Sequence, residues 1–514
     1  MEQISRFSQL INEKYSFKGE YFVIGGAMLH GTALENTQVK IPLKTMNRHG
    51  LIAGATGTGK TKTLQVIAEG LSKSSVPVLL MDIKGDLSGL AASGSSNDFI
   101  QDRMQKIGLE YNPAAYPVEF LTISEEKGVR LRSTVTEFGP VLMAKILGLN
   151  DTQEGILSML FKYCDDNHYP LLDLKDLIKV LQYISNEGKE EIEKDYGKIS
   201  TSSTGTILRK IIELQQQGAD LFFGEPSFDT DDLMRISDDG RGIIHVMRVM
   251  DMQRNPKLFS TFMLGLLAEL FSTLPEEGDM DKPKLVIFID EAHLVFQEAS
   301  KALLNQIETV IKLIRSKGVG IFFCTQNPQD VPAPVLSQLG LKVQHALRAF
   351  TAADRKTIKL AAQNYPESEF YNVEEKLTQL GTGEAFITAL NEKGIPTPLV
   401  HTMLVAPESR MDVLSDEEIN KVTGSSKLIK KYNENIDRES AYEILHQKLE
   451  RAENEEVQQK TAPGRPRKQS STLEKVLDHS ITKQMGRTAA NILTRTLLGA
   501  LGLSGTSSRK KKRK

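Results

Sequence analysis

The 514-residue chain has no tryptophan, two cysteines, and no uncharged apolar run near the ~18 residues of a membrane span. Cys164 and Cys324 are far apart and lack metal-ligand partners nearby, which excludes a disulfide framework and fits a reducing compartment. The opening stretch MEQISRFSQLINEKY has no continuous apolar core of the signal-peptide kind, so a cytoplasmic protein is expected. With 40% hydrophobic and 25% charged residues, wholesale disorder is also excluded. A net excess of either charge is missing too, at a formal −2, yet the balance is uneven. From Lys460 to Lys514, fourteen Lys and Arg face only Glu474 and Asp478, about +12 on a remainder of about −14. That distribution reads as a basic arm tethered to an acidic body.

Among what is present, GATGTGKTKT (Gly54 to Thr63) follows the apolar lead GLIA. Its spacing is G-x-x-x-x-G-K-[ST], with Gly54, Gly59, Lys60 and Thr61 in register, Ala55, Thr56, Gly57 and Thr58 between, and Lys62 after. Backbone N–H groups in such a loop wrap a phosphate at the start of a helix. Lys60 is expected to reach the β- and γ-phosphates of a nucleotide, and Thr61 to offer its hydroxyl to Mg²⁺. A second run, LVIFIDEAH, ends its apolar stretch in Asp290 and Glu291. Asp290 suits a Mg²⁺ water shell, and Glu291 suits a general base that polarises the attacking water. A third, GIFFCTQNP, ends in Thr325 and Gln326, where Gln326 is placed to sense the γ-phosphate or the water. No N-K-x-D supports guanine, and no L-S-G-G-Q supports a transporter ATPase. The D-E-A-H run at Asp290–His293 has no second helicase half, so ATP is the expected nucleotide.

The chain reads as α/β. Residues 1–45 form a short segment of helix and strands, and strands then alternate with helices through about 406. A helical insertion is expected at about 122–239, where VLMAKILGL, ILSMLFKY and LKDLIKVLQYI carry helical spacing. VPVLLMDIKGD reads as a strand whose end, Asp82, sits beside the phosphate-loop strand, and VQHALRAF reads as a strand that includes Arg348. Residues 407–459 are charged and helical. Residues 460–514 form the basic tail, with an amphipathic helix leading to RKKKRK. Its PGRPRK resembles an AT-hook, with Pro463 where an arginine normally precedes the G-R-P core. The tail reads equally as a DNA-binding arm or a solubilising one, and its helix equally as one that packs on the ring, contacts a protein partner or lies on a membrane surface.

HGLIAGATGTGKT, MDIKGD, FIDEAH, CTQNPQDVP and LGTGEA, all within residues 46–406, together resemble the HerA/FtsK superfamily of ring-forming P-loop ATPases. The chain is especially similar to bacterial HerA-like proteins of the YjgR type. The resemblance implies a RecA-like P-loop fold around a mainly parallel sheet, a homohexamer with ATP and Mg²⁺ between subunits, and DNA in the ring pore. Lys60, Thr61, Asp290, Glu291 and Gln326 fall on the superfamily's nucleotide positions. Arg348 falls near its trans arginine finger, with Arg315 as the other candidate. Asp82, Lys84 and Gly85 match its D-x-K-G motif. An ATP-driven DNA translocase or helicase-like motor is therefore expected. The alternative is an ATPase of the same fold that moves protein or acts as a nucleotide switch.

Overall fold

Strands buried on both faces carry unbroken apolar runs instead of alternating ones, and several segments here are of that kind. In the computed structural model, which describes residues 2–461 apart from 255, 279, 297–300, 435 and 437, these runs build one twelve-stranded sheet. In chain order the strands are β1 (Tyr21–Leu29), β2 (Thr32–Pro42), β3 (Gly50–Ala53), β4 (Val78–Asp82), β5 (Val118–Thr122) and β6 (Val129–Arg130). They continue with β7 (Ile244–Arg248), β8 (Leu285–Ile289), β9 (Val319–Thr325), β10 (Leu341–Gln344), β11 (Glu384–Thr388) and β12 (Val400–Leu404). Across the sheet the order is β2-β1-β12-β11-β10-β3-β9-β8-β4-β7-β5-β6. From β10 to β6 every pairing is parallel, and from β10 back to β2 every pairing is antiparallel. The mainly parallel α/β architecture is thus present, with an antiparallel flank. The basic tail beyond residue 461, including PGRPRK and the amphipathic stretch, lies outside the described residues.

The chain divides into two compact units. The first joins Met1–Leu131 to Ser227–Glu434 and holds the whole sheet. Its helices include α1 (Glu2–Lys14), α2 (Lys60–Lys73) and α3 (Asp98–Lys106). The second joins Arg132–Pro226 to the residues from 435 on. It contains α4 (Val135–Leu147), α5 (Asp151–Asp166), α6 (Leu174–Ser185), α7 (Lys189–Tyr196) and α8 (Thr201–Gln216). Three of these helices open on reciprocal capping boxes, Thr134 with Glu137, Asn150 with Gln153 and Asp173 with Asp176.

Two expectations need correction. Asp82 does end β4, but β4 is not beside β3, because β9 and β8 lie between them. The crossover through α2 spans two strand positions that are filled much later in the chain. All four strands are wholly buried, so their apolar patterns carry no information about neighbours. The strand expected through Arg348 stops at Gln344, where the chain leaves the regular ladder to bond with the loop after β3.

Register decides where the strands end. Gly50 pairs with Phe322 and Ala53 with Thr325, while Ile289 pairs with Phe323 of β9 and Met81 of β4. The C-terminal ends of β3, β9, β8 and β4 therefore lie level along one edge. The rings of Phe288 and Phe322 meet at 4.9 Å between centroids, and Gly50 makes room for the second. A Cβ on Gly50 would lie 2.3 Å from the Phe322 ring. After β12 the chain crosses the outer side of α2. Glu69 accepts from the amides of Glu408 (2.9 Å) and Ser409 (3.0 Å), Gln65 donates to Arg410 O (2.9 Å), and Lys62 donates to Met411 O.

His49 fixes the entry to β3. It is buried with φ of 60°, accepts at Nδ1 from Ile321 N (3.0 Å) and donates from Nε2 to Ile311 O (2.8 Å). These two bonds require the neutral ring, and burial pushes its pKa from 6.5 down to about 4. A depressed histidine pKa means that the unfolded chain takes up a proton the folded one refuses. The stability is present above pH 6.5 and lost as pH falls toward 4. His49→Asn should be less stable than wild type at pH 7. The gap measured by urea denaturation should shrink by on the order of 2 kcal/mol at pH 4.5–5. A gap independent of pH would show that His49 is not held neutral.

Candidate active site

The β3 chain continues past the sheet edge without losing its partners. Gly54 N donates to Thr325 O (3.2 Å) and Ala55 N to Ala346 O (2.8 Å). Gly54 (φ 153°) runs so close to His345 that a Cβ would lie 2.5 Å from the histidine Cβ. Gly59 (φ 108°) makes the left-handed entry to α2. Between them Ala55, Thr56, Gly57 and Thr58 form the turn. Thr58 Oγ1 donates to Ala55 O (2.7 Å), and Gly383 N donates to Thr58 O (3.1 Å). His345 Nε2 lies 2.8 Å from Thr63 Oγ1, bracing the first turn of α2 from behind. The loop is thus shaped in advance. The first-turn amides at Lys60, Thr61 and Lys62 have no acceptor within the helix, as at any helix N-terminus.

Lys60 is 8% exposed and folds its ammonium over the loop to Ala55 O (3.1 Å). Burial, and then the Lys84 ammonium, hold Lys60 below the usual lysine pKa. Thr61 Oγ1 donates to Asp86 Oδ2 at 3.1 Å. Asp86 arrives on a turn built by Asp82, whose carboxylate accepts from Gly85 N (2.7 Å), Asp86 N (3.2 Å) and Leu87 N (3.3 Å). The Asp82 carboxyl is pushed up to about 7, first by burial and then by Asp86. The D-x-K-G motif is therefore a folded turn that carries Lys84 and Asp86 toward the loop.

Asp290 and Glu291 follow β8 directly and are both buried. Burial pushes the Asp290 carboxyl up to about 6, against the opposing pull of Lys84. Glu291 has φ of 46°, a left-handed conformation that costs a residue with a Cβ about 1–2 kcal/mol. Ala292 N donates to Cys324 O of β9 at 2.9 Å and pins the chain just past it. Lys84 Nζ pairs with Glu291 Oε1 and lies 3.7 Å from Asp290 Oδ2. His293 Nδ1 stands 3.1 Å from Glu291 Oε2. Asp86 Oδ1, Asp290 Oδ2 and Glu291 Oε2 are buried oxygens that receive no hydrogen bond. Among the described residues no group of three or more acids, histidines or cysteines is placed to hold a metal ion by itself, so Mg²⁺ at Thr61 and Asp290 would take most of its shell from phosphate and water.

The remaining predicted residues divide by edge. Gln326 is exposed just past β9, between the ends of β3 and β8. Asp330 holds the following turn by accepting from Thr325 Oγ1 and from Asn327 N (3.1 Å). Arg348 is exposed just after β10, on the edge of the phosphate loop. Arg315 precedes β9 and is exposed at the opposite edge, where its carbonyl accepts from Asn47. The structure thus gathers Lys60, Thr61, Asp290 and Glu291 on one edge with Gln326 and Arg348, and it leaves Arg315 apart.

A family model described as helicase HerA-like C-terminal matches residues 28–507. The chain belongs to the helicase HerA-like C-terminal family. Among the relatives of this HerA-like chain is the DNA double-strand break repair helicase HerA of Sulfurisphaera tokodaii. The two are 23% identical over 353 residues, covering 68% of this chain and 64% of that one. The DNA import protein CedB of Sulfolobus acidocaldarius is 23% identical over 369 residues, covering 70% of this chain and 52% of that one. The chain therefore spans about half to two-thirds of these relatives. Among solved structures, the bacterial conjugative coupling protein TrwB in its trigonal form with sulphate superposes with a TM-score of 0.50. It is 15% identical, and the match covers 79% of this chain and 94% of that one, a likeness of fold.

Two contributors in this HerA-like site were not anticipated. Asp86 closes the MDIKGD run, and its four-residue spacing from Asp82 was the available signal. His345 had none, because a single histidine after an apolar strand is indistinguishable from a core residue until the loop packs on it.

The close approach at Gly54 generates a test. Gly54→Ala should destabilise the fold by about 1–3 kcal/mol in urea, since neither the His345 Cβ nor the loop backbone can yield cheaply. Wild-type stability in that variant would mean that the loop moves freely off His345.

Proposed function

We propose that this HerA-like chain is a Mg²⁺-dependent ATPase that works as a homohexameric ring and translocates DNA. One observation carries the reading. A preformed phosphate loop and two buried acids, Asp290 and Glu291, share one level edge of a parallel sheet. The amides of residues 56–62 and the Lys60 ammonium take the β- and γ-phosphates, which draws Lys60 away from Ala55 O. Thr61 and Asp290, with Asp86 behind Thr61, would hold Mg²⁺, which neutralises phosphate charge when bound. Glu291 accepts a proton from the water as the water oxygen bonds to the γ-phosphorus. The bond to the bridging oxygen breaks and ADP leaves with the electron pair. Gln326 orients that water or the γ-phosphate. Arg348 supplies the finger to the neighbouring subunit, a role supported by its exposure on the phosphate-loop edge. Arg315, at the opposite edge of its own subunit, is the other candidate.

DNA as the polymer is supported by the family and by the names of the relatives, a repair helicase and a DNA import protein. The basic stretch from 460 to 514 would add phosphate contacts outside the pore. Among the described residues no helix is long and apolar enough to cross a membrane.

Glu291→Gln should retain ATP while turnover falls by about 10²–10⁴, because the amide cannot take the proton. Near-normal turnover, measured as phosphate release at saturating ATP and Mg²⁺, would place the base elsewhere.

Arg348→Ala should bind nucleotide almost as wild type and lose about 10³ or more in turnover, since the finger acts on the transition state. Co-assembly with Lys60→Ala subunits should restore part of the activity. Mixed interfaces can pair an intact loop with an intact arginine, which neither mutant ring contains. Mixed rings without any rescue would assign Arg348 to its own subunit or to no catalytic role.

A further inference from the structure

Lys84 is the cation of the D-x-K-G turn, and hydrolysis as described above does not use it. Its backbone has little freedom. Asp82 holds the turn through three amide bonds, and Gly85 (φ 78°) is pressed against Met250, where a Cβ would lie 2.2 Å from the sulfur. Its side chain is 35% exposed, on a turn whose backbone is fixed. The ammonium is bonded to Glu291 Oε1 and sits 3.7 Å from Asp290 Oδ2. Glu291 is held from the other side by its pinned left-handed backbone.

We propose that Lys84 is a positioning residue that locks Glu291 until a γ-phosphate draws its ammonium away, so that the nucleotide to be hydrolysed releases the base that hydrolyses it. The pair ties the Glu291 carboxylate to Lys84 through Oε1, and while it stands the carboxylate is not free to turn toward an attacking water. A γ-phosphate brings more negative charge than one carboxylate and offers three acceptor oxygens, so it competes for the same cation. ADP ends at the β-phosphate and leaves the pair closed. The lock discriminates ATP from ADP at the base itself, in addition to any contact made by Lys60.

The inference rests on the ATPase reading, and a double-mutant cycle in nucleotide affinity separates the two. The full chain is titrated with ADP and with a non-hydrolysable ATP analogue, in Mg²⁺, for wild type, Glu291→Gln, Lys84→Met and the double variant. If ATP must open the pair, removing the Glu291 charge should raise the ATP-over-ADP affinity ratio about ten- to a hundredfold, the scale of one charge-assisted hydrogen bond. With Lys84 already replaced, the same substitution should raise the ratio much less. Simple repulsion between Glu291 and the γ-phosphate predicts the reverse order, because Lys84 would screen it. Equal or larger effects in the Lys84→Met background therefore overturn the lock. Lys84→Arg, which keeps the charge, should preserve the large effect, and its loss would also count against the proposal. If Lys84→Met does not fold, Lys84→Gln takes its place in the cycle. A wild type that binds neither nucleotide would defeat the ATPase reading and the lock together. Binding of both nucleotides without the predicted coupling defeats the lock alone.

Discussion

Parallel register between β3, β9 and β8 sets the height of every chemical group in this molecule. Ala53, Thr325 and Ile289 end their strands within a residue or two of one line, so the phosphate loop, the sensor turn and the acids emerge at the same level. A parallel ladder repeats every two residues, and a slip of one would turn each strand inside out. The all-apolar strands would stay buried on either face, but a slip would shift Asp290 off the level of the phosphate loop. Gly50 contributes by admitting the Phe322 ring at the start of β3, well away from any phosphate. The chemistry at one edge is thus held in place by packing at the other.

The same edge concentrates charge in a way water would normally forbid. Asp82, Asp290 and Glu291 are buried together, with Lys60 also buried and Lys84 partly exposed between them. Buried charges persist when they are paired and hydrogen-bonded, and these are only partly so. Asp82 spends its carboxylate on three backbone amides, while Asp290 and Glu291 each keep an oxygen without a donor. Incomplete satisfaction of this kind marks a site that awaits further groups, and a nucleotide with its cation supplies the missing charge.

Much of this was legible in the residues alone, for identifiable reasons. The loop could be read because its spacing is itself the geometry: glycines where φ must be positive or the backbone must pass close, lysine and threonine on the first helical turn. Asp290 and Glu291 could be read because an apolar run stops abruptly at two acids. The neighbours of β4 could not, since fully buried strands look alike whichever position they occupy. Arg348 and Arg315 could be ranked in sequence only by resemblance, and the sheet adds that they lie at opposite strand ends. Asp86 and His345 act on the loop across 25 and 282 residues of sequence from Thr61 and Thr63, a distance no local pattern spans.

The crossing of α2 by residues 408–411 gives the molecule a line of force. Hydrogen bonds donated by Lys62 and Gln65 and accepted by Glu69 fasten this segment along the helix that begins with Lys60 and Thr61. Tension applied to the chain beyond Asp412 must load that helix before it reaches β12. The pull would be felt at Lys60 and Thr61, the first residues of the helix.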